Sequence, residues 1–317
     1  MQPALSYSIV VPVYRNEDNI PALLVAMANM HRQLGPSFEA VFVVDGSPDE
    51  SHRRLNEALP AQPFASTLVS LARNFGAFAA IRHGLGEARG RQIAVMAADL
   101  QEPPELAIDL LKRVEAGADI AFGTRQDRND PALSKALSNT YWSLYRRWVL
   151  PDIPKGGVDI FAVSHGVRDA LMAMPEANTS LLGQLFWLGG RRAFVPYVRR
   201  EREVGKSAWT LRKKLRYLMD SAFSFTDLPI RILLGLGLGG LAFSVALAIA
   251  VVVAKLTGHV AVPGYAATIL VVLFFGAFNS LGLGIIGSYV WRAFENTKGR
   301  PLTIAQQTDR FGQENPR

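Results

Sequence analysis

The residues best placed by type and spacing to do chemistry lie in Ala97-Ala98-Asp99-Leu100-Gln101-Glu102-Pro103-Pro104-Glu105. The stretch follows the apolar run Gln92-Ile93-Ala94-Val95-Met96 and supplies a carboxylate, an amide and a second carboxylate within four positions. Mg2+ and Mn2+ prefer such oxygens, and commonly take one or two carboxylates together with water and substrate phosphates. A metal held there would neutralise the charge on a leaving diphosphate. Two further acids, Glu17 and Asp45, also end apolar runs. Each has a plainer use as well, because an acid ahead of a helix caps its free N–H groups.

Holding such turns in register requires strands that end in them and helices that leave them. Apolar runs at Tyr7–Tyr14, Glu39–Val44, Thr67–Ala72, Gln92–Met96 and Asp119–Gly123 read as strands. Between them, Asp18–Leu34 carries Leu23, Leu24, Met27, Met30 and Leu34 on one helical face. Further helices are expected through Leu59, through Ala88 and over Leu106–Val114. This alternation predicts an α/β fold with a doubly wound, mainly parallel sheet. Right-handed crossovers then bring Asp45 and Asp99 to one edge, where open α/β sheets bind ligands. Beyond a loop at Gln126–Pro131, an aromatic helix is expected at Leu133–Val149, and a strand ends at Val163. Helices at Val167–Met174 and Ser180–Gly189 and a strand at Ala193–Val198 follow.

Composition adds a membrane. The 317 residues are 49% hydrophobic, and no charge occurs over Ile232–Ala254 or Pro263–Trp291. At about 1.5 Å per residue, either run covers the roughly 30 Å hydrocarbon core. Two transmembrane helices are expected, at about 232–254 and 266–290 within residues 231–291. Residues 1–208 form the sheet domain, 209–230 an amphipathic juxtamembrane segment, and 292–317 a tail. In that segment Thr210–Phe223 places Leu211, Leu215, Leu218 and Ala222 on one helical face, as in helices lying at an interface, with packing of that face on the sheet domain as the alternative. The net charge of +7 is concentrated between Arg199 and Arg216, which suits anionic membrane lipid. No zinc module or interleaved aromatic surface accompanies it, so nucleic acid is not an expected partner. Basic residues before the first span and after the second place the domain and the tail on the cytoplasmic side of the inner membrane. Gly276, Ser280, Gly284 and Ser288 form a small-residue stripe suited to close helix contact, between the spans or in a homo-oligomer, and Asn279 is expected to face protein. Cysteine is absent, and the N-terminus shows no basic-then-apolar signal pattern.

Other patterns fail on context. Two GxGxxG matches, at Gly235–Gly240 and Gly282–Gly287, lie inside the apolar runs and follow no strand. Gly205-Lys206-Ser207 lacks the first glycine of a P-loop, and there is no GxSxG serine elbow.

Taken in order, Val11-Pro-Val-Tyr-Arg-Asn-Glu17, Val43-Val-Asp-Gly-Ser47, Leu71-Ala-Arg-Asn-Phe-Gly76, Asp99-Leu-Gln-Glu-Pro-Pro-Glu105, Arg202-Glu-Val-Gly-Lys-Ser207 and Ser224-Phe-Thr-Asp-Leu-Pro-Ile-Arg231 resemble the family 2 glycosyltransferases of the polyprenyl-phosphate type. That group includes dolichol-phosphate mannose synthase and bacterial undecaprenyl-phosphate glycosyltransferases. The resemblance implies a GT-A fold and inverting transfer of a sugar from a nucleoside-diphosphate sugar to a polyprenyl (undecaprenyl) phosphate, as a lipid-linked donor for cell-envelope glycans. It implies that Pro12, Tyr14, Glu17 and Asp45 hold the nucleotide-sugar together with Asp99, that Asp99 and Gln101 hold Mg2+ or Mn2+, and that Arg125, Arg202, Lys206 and Ser207 lie near phosphates. Asp159 is the acid to consider beside the reacting groups; a structural loop acid is its alternative. Arg202 and Lys206 are alternatively part of a membrane-facing charge run. The family usually pairs acids at positions 44 and 45 and at 97 and 99, where this chain has Val44 and Ala97. Those two residues motivate an alternative, a membrane-tethered nucleotide-sugar-binding scaffold without catalysis. A processive polysaccharide synthase would need Gln-x-x-Arg-Trp, of which Gln184-Leu-Phe-Trp187 is only a fragment.

Overall fold

A computed structural model describes residues 5–125, 143, 146, 147, 151–154, 157–199, 211–257 and 264–312. Strands β1 (Tyr7–Val13), β2 (Phe38–Val44), β3 (Ala65–Leu71) and β4 (Gln92–Val95) run parallel in the order β4-β1-β2-β3. They are apolar on both faces because helices cover both. Ile9, Val11, Phe42 and Val44 pack with α1 (Ile20–Leu34), α2 (Ser51–Ala58) and α4 (Pro104–Glu115). Val10, Val41 and Val43 pack on the opposite side with α3 (Ala77–Glu87), α5 (His165–Met172) and α6 (Leu181–Leu188). The two sets alternate along each strand, as a period of two demands.

Beyond β4 the sheet continues through β6 (Val158–Ser164), β5 (Ile120–Arg125) and β7 (Arg192–Tyr197). β6 is antiparallel to both β4 and β5, while β7 is parallel to β5. The expected α/β sheet is therefore present and mainly parallel. At the strand starts, away from Asp45, a fully buried Glu39 accepts from Ser8 Oγ at 2.7 Å, Arg89 N at 2.6 Å and Arg89 Nε at 2.9 Å. Glu39→Ala is expected to lower unfolding free energy by about 3 kcal/mol, the lower end for a broken buried ion pair. The lower end applies because Arg89 remains 39% exposed. Denaturant titration of the detergent-solubilised protein measures it.

The C-terminal residues depart from the expected tail. Ala305–Phe311 forms β8, antiparallel to β3, with Thr67 opposite Arg310 and Val69 opposite Thr308. Without it, the apolar β3 would present an unpaired edge, which invites aggregation. Its polar sequence suits an exposed outer strand. The approach to β8 is fixed by Ala72 N donating to Ile304 O at 2.9 Å and by His83 Nδ1 and Thr303 Oγ1 at 2.8 Å.

Between the sheet domain and β8 lie α7 (Leu211–Phe225), α8 (Leu228–Leu256) and α9 (Tyr265–Thr297). Leu228–Ala254 and Phe274–Thr297 are long and apolar enough to cross a membrane, and their most apolar windows are 0% and 6% buried in protein. A core helix of a soluble domain would be mostly covered. The small-residue stripe does not join α8 to α9: Gly276, Ser280 and Gly284 are exposed, and the Ser280 and Ser288 hydroxyls donate to carbonyls of their own helix. α8 instead approaches α9 at Gly282, where a Cβ would lie 3.3 Å from Leu233. Asn279 is exposed on α9 rather than turned toward protein of this chain. The helix expected at Leu133–Val149 lies outside the described residues except for positions 143, 146 and 147.

Candidate active site at the strand ends

The chain passes from β1 to β2 and β3 on one side, then returns to β4 on the other. Crossovers therefore leave β1 and β4 in opposite directions, and a crevice opens between their carboxyl ends. Pro12 in β1, Tyr14, Glu17 and Asp45 stand on one side of it, and Asp99 and Gln101 follow β4 on the other. β5 ends and β6 begins at this same edge, which brings Arg125, the last residue of β5, and Asp159, the second of β6, to the Asp99 side. The Asp159 side chain, Arg202, Lys206 and Ser207 lie outside the described residues.

Asp45 is 2% exposed. Its Oδ1 accepts from Phe75 N at 2.7 Å and its Oδ2 from Gly76 N at 2.8 Å, just ahead of α3. Burial pushes this carboxyl above the ordinary value, partly opposed by the two amides and by Arg73. Capping, the plainer use of Asp45, is therefore made from a neighbouring strand. The next residue must be glycine: Gly46 has φ +56°, and a Cβ would lie 2.3 Å from the Arg73 carbonyl carbon. Asp45 and Gly46 together clamp the Arg73–Gly76 loop, on which the Arg73 guanidinium stacks 4.0 Å from the Phe75 ring centre.

Glu17 also caps a helix: its Oε2 accepts from Glu50 N at 2.8 Å, next to the start of α2. Asp49 accepts from Ser47 Oγ at 2.6 Å and from Glu17 N at 3.1 Å, while Ser47 Oγ accepts from Arg15 N at 2.8 Å. Burial raises the Asp49 pKa, but hydrogen bonds from Ser47, Ser51 and Glu17 outweigh it, and the net shift is downward. A lowered folded-state pKa contributes stability above the unfolded value of about 3.9 and loses it as pH falls through the folded value. Asp49→Asn is therefore expected to flatten the acid limb of a melting-temperature profile below about pH 4.

Asp99 is half-buried, and its Oδ1 accepts from Gln101 N at 3.3 Å. Leu100 between them has φ +54°, as does Arg15 on the other side of the crevice. Non-glycine residues in this region cost about 1–3 kcal/mol each and concentrate where ligands bind. Gln101 Oε1 accepts from Arg199, and Arg199 Nε lies 3.2 Å from Glu102, which is 2% exposed. The Gln101 oxygen is thus turned to a guanidinium rather than offered to a cation. Among the described residues no three His, Cys, Asp or Glu side chains converge as a metal cage. One half-buried carboxylate fits an Mg2+ or Mn2+ whose other ligands are substrate phosphates and water.

Arg199, which the sequence groups with the basic cluster suited to anionic lipid, is instead turned to Gln101 and Glu102 at this edge. It stands two positions beyond Tyr197, which is paired in register with Arg125. In the sequence it is one of many arginines, and only the burial of Glu102 singles it out.

Residues 8–167 match glycosyl transferase family 2. An uncharacterised glycosyltransferase of Synechocystis is 31% identical over 311 residues, spanning 98% of this chain and 97% of that protein. The prophage bactoprenol glucosyl transferase homolog of Escherichia coli is 30% identical over 304 residues, spanning 96% and 99%. The crystal structure of mannosyl-3-phosphoglycerate synthase from Rubrobacter xylanophilus aligns over 68% of this chain and 71% of its own, with a TM-score of 0.50 and 16% identity. That likeness is one of fold, the mainly parallel α/β sheet of GT-A proteins. Because the family match takes in β1 through β6, with the whole Tyr14–Glu17, Asp45 and Asp99–Glu102 crevice, the chain belongs to glycosyl transferase family 2.

Proposed function

We propose that this glycosyltransferase moves a sugar from a nucleoside-diphosphate sugar to a polyprenyl phosphate, with inversion, at the cytoplasmic face of a membrane. One observation carries the reading: similarity to a protein named for bactoprenol glucosyl transfer spans 96% of the chain, so it runs through the membrane-length helices as well as the sheet. The return of the chain to β8 after the last apolar helix supports an even number of crossings, because β8 and β3 pair only if both lie on the same side. The basic residues flanking the spans favour the cytoplasmic side.

In this reading the nucleoside lies against Pro12, Tyr14 and Glu17. Asp45 shapes its site by holding the Arg73–Gly76 loop, with further lone pairs on both carboxylate oxygens for the base. Asp99 is the protein ligand of an Mg2+ or Mn2+ ion, which supplies charge neutralisation on the leaving diphosphate. Gln101 can serve that ion only after leaving Arg199. Arg125, Arg202, Lys206 and Ser207 receive the acceptor phosphate. A phosphate monoester with a second pKa near about 6 is already mostly dianionic at neutral pH. Its oxygen forms the new bond to the anomeric carbon as the nucleoside diphosphate departs, so Asp159 orients rather than deprotonates. Catalysis then rests on alignment and charge stabilisation.

The test incubates full-length protein with a panel of labelled sugar nucleotides, undecaprenyl phosphate and Mg2+ or Mn2+, and counts label in the lipid extract. Labelled lipid from one donor is expected. Nucleotide binding without labelled lipid from any donor would establish the scaffold reading, which Ala97 favours by leaving one acid where the family has two.

A further inference from the structure

The segment from Met174 to Ser180, between α5 and α6, is gripped from two directions. From the sheet domain, Arg82 of α3 donates to Leu171 O at 2.6 Å, Met174 O at 2.7 Å and Gln184 Oε1 at 3.0 Å. From the apolar helices, Arg292 of α9 donates to Asn178 O at 2.6 Å, and Asn296 Oδ1 accepts from Ala177 N at 2.9 Å. The same Arg292 guanidinium pairs with Asp220 of α7 at 2.7 Å and lies 5.1 Å from the Phe223 ring centre. Ser224 Oγ also donates to Asn178 O, at 3.2 Å, and Asn178 itself holds φ +56°. α6 meets α7 so closely that a Cβ on Gly183 would fall 2.3 Å from the Phe225 ring.

The level of this junction is marked on the outer side of α9. Trp291 and Phe294 are 57% and 53% exposed, and the Lys298 ammonium lies 4.5 Å from the Phe294 ring centre. Exposed aromatics with a cation at a helix end are the usual furniture of the headgroup layer. Arg292 and Asn296 thus leave the membrane helix at its interfacial end and hold a segment that α3 holds from above. Directly ahead of α3 stand Phe75 and Gly76, whose amides donate to Asp45.

We propose that Arg292, aided by Asn296, is a positioning residue that fixes the crevice relative to the bilayer, so that a phosphate anchored in lipid reaches it. The inference rests on the polyprenyl-phosphate reading. An acceptor confined to the bilayer depends on this joint, whereas a short, water-soluble prenyl phosphate diffuses to the crevice without it. A lysine keeps the charge opposite Asp220 but replaces the planar fork by a point charge, so it restores the joint in part.

The test compares wild type, Arg292→Met and Arg292→Lys as full-length proteins, with undecaprenyl phosphate in nanodiscs and with a short-chain prenyl phosphate in detergent. Arg292→Met is expected to lower kcat with the bilayer acceptor by about ten- to a hundredfold, the scale of a lost alignment. Its kcat and KM with the short acceptor and its nucleotide affinity remain those of wild type, and Arg292→Lys falls between. Equal loss with both acceptors, or no loss in nanodiscs, overturns the proposal. If wild type makes no product from either acceptor, the functional reading fails. The joint is then read by hydrogen exchange: faster exchange at Ala177 and Gly183 in Arg292→Met supports it, and unchanged exchange overturns it.

Discussion

Asp99→Asn is expected to leave a folded, nucleotide-binding protein with turnover reduced by at least about a thousandfold, the upper range for losing one preorganised electrostatic stabiliser. Asp99 is half-buried, and the hydrogen bond its Oδ1 accepts from Gln101 N can be accepted equally by an asparagine oxygen, so the local turn is preserved. The chemical cost is large, because Ala97 offers no second carboxylate and Gln101 is turned to Arg199. In the proposed reading Asp99 is the single protein ligand, so removing its charge would take away the attraction that holds a divalent ion against the donor's diphosphate. Initial rates of lipid-linked product over a range of Mn2+ concentrations, beside a thermal melt, check this. Full turnover in Asp99→Asn at every concentration would sink the metal assignment.

The sequence carries the features that depend on local periodicity. β1 to β4 and their helices were readable because apolar runs and helical spacing alternate, and right-handed crossovers leave little freedom in joining them. The same logic placed Asp45 and Asp99 at one edge. It could not say which use of Asp45 prevails, since the amides it accepts belong to Phe75 and Gly76, some thirty residues on. β8 was unreadable for another reason. Ala305–Phe311 has no apolar alternation, because an outer strand open to solvent on both faces needs none, and its pairing with β3 crosses two membrane-length helices. Asn279 was read from its cost in lipid alone, yet its helix presents it outward in this chain. Long-range polar partners are what a single sequence hides.

Arg199 is the residue where that hidden pairing has its largest expected effect on stability. Glu102 sits in the turn after Asp99 with 2% of its side chain exposed, and Arg199 comes to it from beyond β7. Two consequences follow from Arg199→Ala. The buried carboxylate loses the Arg199 counter-charge, which costs about 3 kcal/mol, the lower end for a broken buried pair. The lower end is chosen because Arg199 keeps 31% of its side chain in solvent. The Gln101 amide loses the Arg199 guanidinium, so one tie between the turn bearing Asp99 and the residues beyond β7 is gone. Substituting both partners, Glu102→Met with Arg199→Leu, removes the stranded charge and is expected to recover most of the stability, as replaced buried pairs commonly do. Turnover separates the two roles. If Arg199 only neutralises Glu102, the double variant regains activity with stability. If it also fixes Gln101 beside Asp99, stability returns while turnover stays low, and a double-mutant cycle in both quantities distinguishes the cases. The placement of Gln101 against Arg199 favours the second outcome, in which the pair holds the turn bearing Asp99 in shape.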